Sequence, residues 1–146
     1  MIINNLMGGI GNQLFQISAG FAHAKNIQTD YAINYKISLG NGQGHHHRRY
    51  KDTLYKNIPE TDHNVFIPYQ DPKFSYTPIS KLNNLCLIGY FQSRKYFLGY
   101  EEEVKNLLYF PISLTKKVQN KFDAIKKKKV GIHLRLGDYR AKSTKG

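Results

Sequence analysis

The apolar residues near the start of the chain change their spacing twice. Residues 1–6 form an apolar run that is typical of a short β-strand. Beyond it the spacing becomes that of a helix, with apolar side chains at Leu14, Ile17, Phe21 and Ala24. Residues 31–35 return to a strand pattern. Strand, helix and strand in this order form a βαβ unit, so the pattern predicts an α/β fold.

The rest of the chain predicts further elements of both kinds. Residues 85–91 are typical of a buried strand, and residues 100–108 of a helix. Ser113 is in position to cap another helix, whose apolar residues are Val118, Phe122 and Ile125. Residues 130–135 predict a last strand. Glycines and prolines interrupt residues 38–80, which we expect to form loops and short pieces.

The last predicted strand carries polar groups on one face. By the two-residue period of a strand, its apolar face holds Val130, Ile132, Leu134 and Leu136, and its other face holds Gly131, His133, Arg135 and Gly137. The planar guanidinium of Arg135 matches phosphate oxygens, and the end of a parallel strand is a common ligand position. Alternatively, Arg135 pairs with Asp138 just beyond the strand. His133 is either a catalytic group or a satisfied buried histidine.

The first predicted strand is followed by a glycine-rich turn at Gly8, Gly9 and Gly11. A dinucleotide fingerprint would need a third glycine where Leu14 stands, and an acidic residue after the second strand, where the chain has Asn34 and Lys36. We therefore do not expect a nicotinamide cofactor. The amides of Asn12 and Gln13 lie at the helix start, where they can bond both backbone and a sugar hydroxyl. The alternative is a tight turn that binds no ligand.

Composition sets broad limits on the class of protein. The chain has 146 residues, 40% of them apolar, which is typical of one globular domain. It has no apolar run of the roughly 20 residues that a membrane span needs and no apparent signal peptide. Cys86, the single cysteine, lies in an apolar run and is expected to be a buried, inert thiol. A lone cysteine fits a reducing cytosol.

The net charge of +12 indicates an anionic partner. A nucleic acid, an anionic membrane surface and an anionic small substrate all remain open, although the chain has no zinc-finger spacing and no RNA-binding aromatic signature. Two basic clusters stand out. Residues 45–49 contain three adjacent histidines, whose spacing favours a solvated basic loop over a metal site. Residues 126–129 are four lysines, expected to form an exposed connection or the joint between two domains.

Three stretches together resemble the α-1,2-fucosyltransferase family. Residues 8–16, GGIGNQLFQ, are close to the family's opening segment. Residues 89–97, GYFQSRKYF, are similar to the family's GYFQSEKYF. Residues 130–139, VGIHLRLGDY, resemble VGIHIRRGDY, with Leu136 in place of the second arginine. The three stretches span nearly the whole chain.

The resemblance implies a fold, a reaction and a site. The fold is a GT-B type glycosyltransferase, in which two Rossmann-like domains face each other across a cleft. Residues 1–127 would be the acceptor-side domain, and residues 128–146 the first strand and loop of an incomplete donor domain. The reaction transfers fucose from GDP-fucose to a galactoside hydroxyl with inversion and without an obligatory metal. By the same resemblance we expect the isolated residues 1–146 to be inactive.

The resemblance also assigns roles to named residues. Arg135 is expected at the donor phosphates, with Asp138 or His133 as the base for the incoming hydroxyl. Gly11, Asn12 and Gln13 are expected to contact substrate from the glycine turn. No metal site and no nucleic-acid partner is expected. Apart from the resemblance, the lone cysteine and the positive net charge predict a cytoplasmic protein with peripheral contact to an anionic inner membrane. The alternative function is a non-catalytic basic α/β module that binds nucleic acid or an anionic glycan.

Overall fold

The computed structural model describes residues 1–36, 47–64, 66–73 and 75–132. Within these ranges the strands are β1 (Ile2–Asn4), β2 (Tyr31–Ile33), β3 (Ile67–Gln70) and β4 (Leu85–Ile88). The α-helices are α1 (Ile10–Asn26), α2 (Glu101–Leu107) and α3 (Ile112–Ala124), and short 3-10 turns cover His47–Tyr50 and Arg94–Tyr96. The chain divides into two compact units, Met1–Phe110 and Pro111–Gly146. The separate prediction of an acceptor-side and a donor domain, divided after residue 127, stays a prediction.

The strands of the first unit form one parallel sheet in the order β2-β1-β4-β3. At its centre, Ile3 of β1 lies opposite Ala32 of β2 on one side and Cys86 of β4 on the other. Because all the paired strands run in the same direction, their carboxyl ends meet along one edge of the sheet. The general α/β fold predicted from the spacing of apolar residues is therefore confirmed.

Helix α1 packs against the sheet through a position that requires glycine. A Cβ placed on Gly20 would lie 2.1 Å from the Asn4 Oδ1 atom and 2.7 Å from the Tyr31 ring. The Tyr31 hydroxyl donates a 2.9 Å hydrogen bond to that same Asn4 oxygen. Around this contact the core is built from apolar residues of α1, β1, β2 and β4, among them Ile2, Ile17, Ile33, Leu85 and Leu87.

The opposite face of the sheet buries a smaller set of side chains. Ile3, Ala32 and Cys86 form it, one from each of three neighbouring strands. Cys86 is buried as predicted, and burial raises the pKa of its thiol. A thiol with a raised pKa forms less of the nucleophilic thiolate, so the prediction of an inert cysteine agrees with its surroundings.

Two sequence predictions were wrong about where elements begin. Pro111 occupies the N-cap position of α3, so Ser113 lies inside the first turn and does not cap the helix. The last strand, predicted over residues 130–135, is absent over residues 130–132, which lie in exposed chain. A strand needs a neighbour with which to pair, and none of the four described strands pairs there. Residues 133–135 lie outside the described ranges.

The basic cluster at residues 45–49, predicted to be a solvated loop, is exposed at Arg48 and Arg49 but not at His47. His47 is buried and stacks on the Tyr35 ring, with ring centroids 5.4 Å apart. Arg48 donates hydrogen bonds of 2.9 and 2.8 Å to the Tyr35 carbonyl. Aromatic stacking and a backbone acceptor thus hold this part of the cluster against the fold. His45 and His46 lie outside the described residues.

Candidate functional site

The glycine turn between β1 and α1 brings an amide and an aromatic ring close together. Gly8 has a φ of +74°, in the region that favours glycine, and Gly9 is the N-cap residue of α1. A Cβ on Gly8 would lie 2.7 Å from Asn12 Nδ2 and 3.2 Å from Tyr90 Cε1. Gly8 therefore leaves the space of a side chain to the Asn12 amide and the Tyr90 ring.

Two buried glutamines hold this turn in place. Gln13 donates a 2.8 Å hydrogen bond to the Gly8 carbonyl and accepts one of 3.0 Å from the Tyr55 hydroxyl. Gln16 donates to the Met7 carbonyl at 2.9 Å and accepts from the Met7 N–H at 3.0 Å. Gln13 is only 1% exposed, so its amide faces the interior. In the structure it positions the turn, and its direct contact with substrate stays a prediction.

Gly11 and Asn12 lie on the outer side of the same helical turn. Gly11 is exposed, and a Cβ built on it would meet no atom within 4 Å. Asn12 is partly exposed, and its Oδ1 atom accepts a 2.7 Å hydrogen bond from Gln92 Nε2. The bond joins the first turn of α1, which follows β1, to the loop after β4, the neighbouring strand in the sheet. Two of the stretches that carry the family resemblance therefore meet at the carboxyl edge.

The loop after β4 has an unusual backbone that a carboxylate supports. Gly89 has a φ of +139°, and Phe91 has a φ of +49° although it is not a glycine. The Phe91 N–H donates a 3.0 Å hydrogen bond to Asp71 Oδ2, and the Tyr96 hydroxyl lies 3.4 Å from Asp71 Oδ1. Asp71 follows β3. Its two hydrogen bonds support the loop that presents Gln92 to Asn12.

A shallow cavity of about 290 Å³ opens at this edge of the sheet. Its walls come from three loops: Met7 after β1, Asp71 and Lys73 after β3, and Gly89 and Tyr90 after β4. Size does not distinguish it, because two other cavities measure about 270 and 310 Å³. Its position does, since open α/β sheets bind ligands at the carboxyl ends of their strands.

Two phenols near the Asp71 carboxylate, those of Tyr69 and Tyr96, stay neutral at ordinary pH. Burial, together with the nearby Asp71 carboxylate, raises the pKa of Tyr69. The pKa of Tyr96 is also raised, chiefly by burial. The charged side chains that line the cavity are Asp71 and Lys73, one of each sign. Together with the amides of Asn12 and Gln92, this surface offers hydrogen-bond donors and acceptors suited to a polar, uncharged ligand.

The structure describes only some of the predicted site residues. It brings Gly11, Asn12 and Gln13 to the carboxyl edge, whereas His133, Arg135 and Asp138 lie outside the described residues. Sequence reasoning gave no role to Tyr90 or Gln92, although both belong to the GYFQ segment. It missed Asp71 and Lys73 because β3 was not predicted.

Neither a metal-binding group nor a similar protein identifies the site further. Within the described ranges, no three His, Cys, Asp or Glu residues are grouped so that they could hold a metal ion. The chain matches no protein-family model, no curated protein and no solved structure.

Proposed function

We propose that this chain is an α-1,2-fucosyltransferase-like glycosyltransferase, in which residues 1–127 form an acceptor-side Rossmann-like domain of the GT-B type. The carboxyl edge of the sheet binds the galactoside to be fucosylated. The observation that carries the proposal is the 2.7 Å hydrogen bond between Gln92 and Asn12. These residues are 80 positions apart in the chain, yet they belong to the two described stretches that resemble the family.

The chemistry of the carboxyl edge suits a sugar. A sugar ring has hydroxyl groups that both donate and accept hydrogen bonds, as do the amides of Asn12 and Gln92. It also has apolar C–H faces that pack on aromatic rings, and Tyr90 lines the cavity. An apolar surface with a few convergent polar groups is the usual composition of a small-molecule site.

The donor side of the proposal rests on the resemblance alone. The acceptor hydroxyl attacks C1 of fucose from the face opposite the leaving group, the bond from C1 to the pyrophosphate oxygen breaks, and GDP departs. The hydroxyl proton passes to a base, for which His133 and Asp138 are both candidates. Arg135 stabilises the negative charge that develops on the pyrophosphate, which is the charge a metal ion would otherwise neutralise.

Ligand-observed NMR of the full chain tests the acceptor site. Saturation transfer from protein to methyl β-galactoside is compared with transfer to methyl β-glucoside, which differs only in the orientation of one hydroxyl. We expect stronger transfer to the galactoside, because oriented hydrogen bonds discriminate between epimers. Equal transfer to both sugars, or none to either, would contradict the proposed acceptor.

Two variants place the binding at the carboxyl edge. Asn12→Ala should strongly reduce saturation transfer to the galactoside, because it removes the amide that pairs with Gln92 at the carboxyl edge. Asn106→Ala is the matched control, since Asn106 is an exposed asparagine on the helix α2, and this variant should bind as the wild type does. Unchanged binding by Asn12→Ala would place the sugar elsewhere.

A further inference from the structure

Helix α3 carries an apolar stripe that is open to solvent. Its residues recur every three or four positions, which places them on one side of a helix. They are Leu114, Val118, Phe122 and, at the C-cap, Ile125, and they are 56%, 59%, 52% and 52% exposed. None of the residues Ile112–Ala124 is buried. An amphipathic helix whose apolar side is more than half exposed has an unfilled interface.

The same segment concentrates positive charge. Residues 112–132 contain seven lysines and one acidic residue, Asp123. The net charge of this segment is half of the chain's net charge of +12. Four of the lysines, residues 126–129, follow the helix directly and are exposed. The Lys129 ammonium lies 4.0 Å from the centroid of the Phe122 ring. The lysine run therefore reaches back beside the stripe, and charge and apolar surface share one side of the segment.

This combination favours one kind of partner over the others. Positive charge alone would suit any polyanion, including nucleic acid, and an apolar stripe alone would suit another protein. An anionic bilayer surface takes both at once, because apolar side chains enter the boundary of the acyl chains while lysines stay among the phosphates. The 13 residues of α3 extend about 20 Å, less than the roughly 30 Å hydrocarbon core.

We propose that the segment of residues 112–132 is a membrane-surface anchor, with α3 lying flat on an anionic bilayer. Among the described helices, none is long and apolar enough to cross a membrane. The anchor is independent of the proposed sugar site, which lies in the other compact unit.

Vesicle co-sedimentation of the full chain tests the anchor. Vesicles of phosphatidylcholine are compared with vesicles that contain one quarter phosphatidylglycerol. At about 0.1 M salt we expect binding to the anionic vesicles to be at least about tenfold tighter, and to weaken as salt screens the lysines. Val118→Asp and Phe122→Asp should each weaken it by about tenfold or more, since each puts a charge on the apolar stripe.

The control is Leu98→Asp, which changes an apolar residue that is 62% exposed in the other compact unit. It should bind vesicles as the wild type does. Both α3 residues are more than half exposed, so the melting temperatures of their variants should equal that of the wild type. A dimer in solution that Val118→Asp dissociates would assign the stripe to self-association and overturn the proposal. So would equal binding to both kinds of vesicle, or duplex DNA binding that exceeds vesicle binding and is unchanged by Phe122→Asp.

Discussion

Gln92 donates a 2.7 Å hydrogen bond to the side-chain oxygen of Asn12, which joins the loop after β4 to the first turn of α1, the helix that follows the neighbouring strand β1. Neither residue caps α1, because the N-cap position belongs to Gly9 and the helix has no side-chain cap. The pair is also exposed, so its hydrogen bond contributes little to stability. The bond lies at the carboxyl edge of the sheet, where the acceptor site is proposed.

Asp71 should affect sugar binding without contacting the Asn12–Gln92 pair. Asp71→Ala removes the acceptor of the Phe91 N–H, so the loop after β4 loses its support. We expect about 1 kcal/mol lower stability and weaker galactoside binding, measured by urea unfolding and by NMR titration. Asp62→Ala changes an exposed aspartate of the same unit and is the control for lost charge. If the two variants bind galactoside equally well, Asp71 does not position the loop.

Two glycines of α1 should respond to alanine in opposite ways. In Gly20→Ala the new Cβ would lie 2.1 Å from Asn4 Oδ1, and the resulting overpacking should destabilise the fold by about 1–3 kcal/mol. In Gly11→Ala the Cβ meets nothing within 4 Å, and the helix should gain about 0.4–1 kcal/mol. Thermal and urea unfolding of both variants measure the difference. A destabilised Gly11→Ala would show that the start of α1 is placed wrongly.

Gly11→Ala also tests the predicted substrate contact at this position. The variant adds a methyl group to the outer side of the turn while the fold becomes more stable. If sugar lies against Gly11, galactoside binding should weaken despite the gain in stability. Unchanged binding would remove Gly11 from the site.

Stability should fall at alkaline pH because the core contains buried tyrosines. Burial raises the pKa of Tyr55, and it raises the pKa of Tyr35 to about 12, aided by Glu60 and Asp52. An unfolded tyrosine titrates near pH 10, so the folded state binds the phenol proton more tightly. The stabilisation is then complete below about pH 10 and is lost as pH rises towards 12. Melting temperatures measured across this range should fall steeply.

Tyr55→Phe separates the hydrogen bond from the titration. The variant removes the hydroxyl that donates to Gln13, which should cost about 1 kcal/mol at neutral pH. Its melting temperature should then fall less than that of the wild type above about pH 10, because it has one fewer buried phenol. The exposed Tyr76 offers the control Tyr76→Phe. Identical alkaline slopes for wild type and Tyr55→Phe would show that Tyr55 ionises as freely in the fold as outside it.

The spacing of apolar residues predicts β1, α1, β2, β4 and α2 because each has the period of its element. This spacing does not show which polar residues of α1 are buried. Asn12 and Gln13 are adjacent amides, yet the second is buried because it shares a helix face with Gln16, Ile17 and Gly20.

The loop that supplies Asp71 escaped prediction for a different reason. Pro68 lies inside β3, and a proline within a run of residues argues against a strand. The strand forms because β3 is at the edge of the sheet, paired only with β4 among the described strands, where a missing N–H is tolerated. Edge position depends on strand order, which local sequence does not encode.

The most direct test of the site is a double-mutant cycle on its central pair. Galactoside dissociation constants are measured for the wild type, Asn12→Ala, Gln92→Ala and the double variant, each with its melting temperature. If the two amides bind sugar as one unit, each single variant should lose most of the affinity. The double variant should then lose little more, a coupling of about 0.5–3 kcal/mol, while the melting temperatures stay close to that of the wild type. Additive losses, or dissociation constants that do not change, would contradict the assignment of the carboxyl edge as the acceptor site.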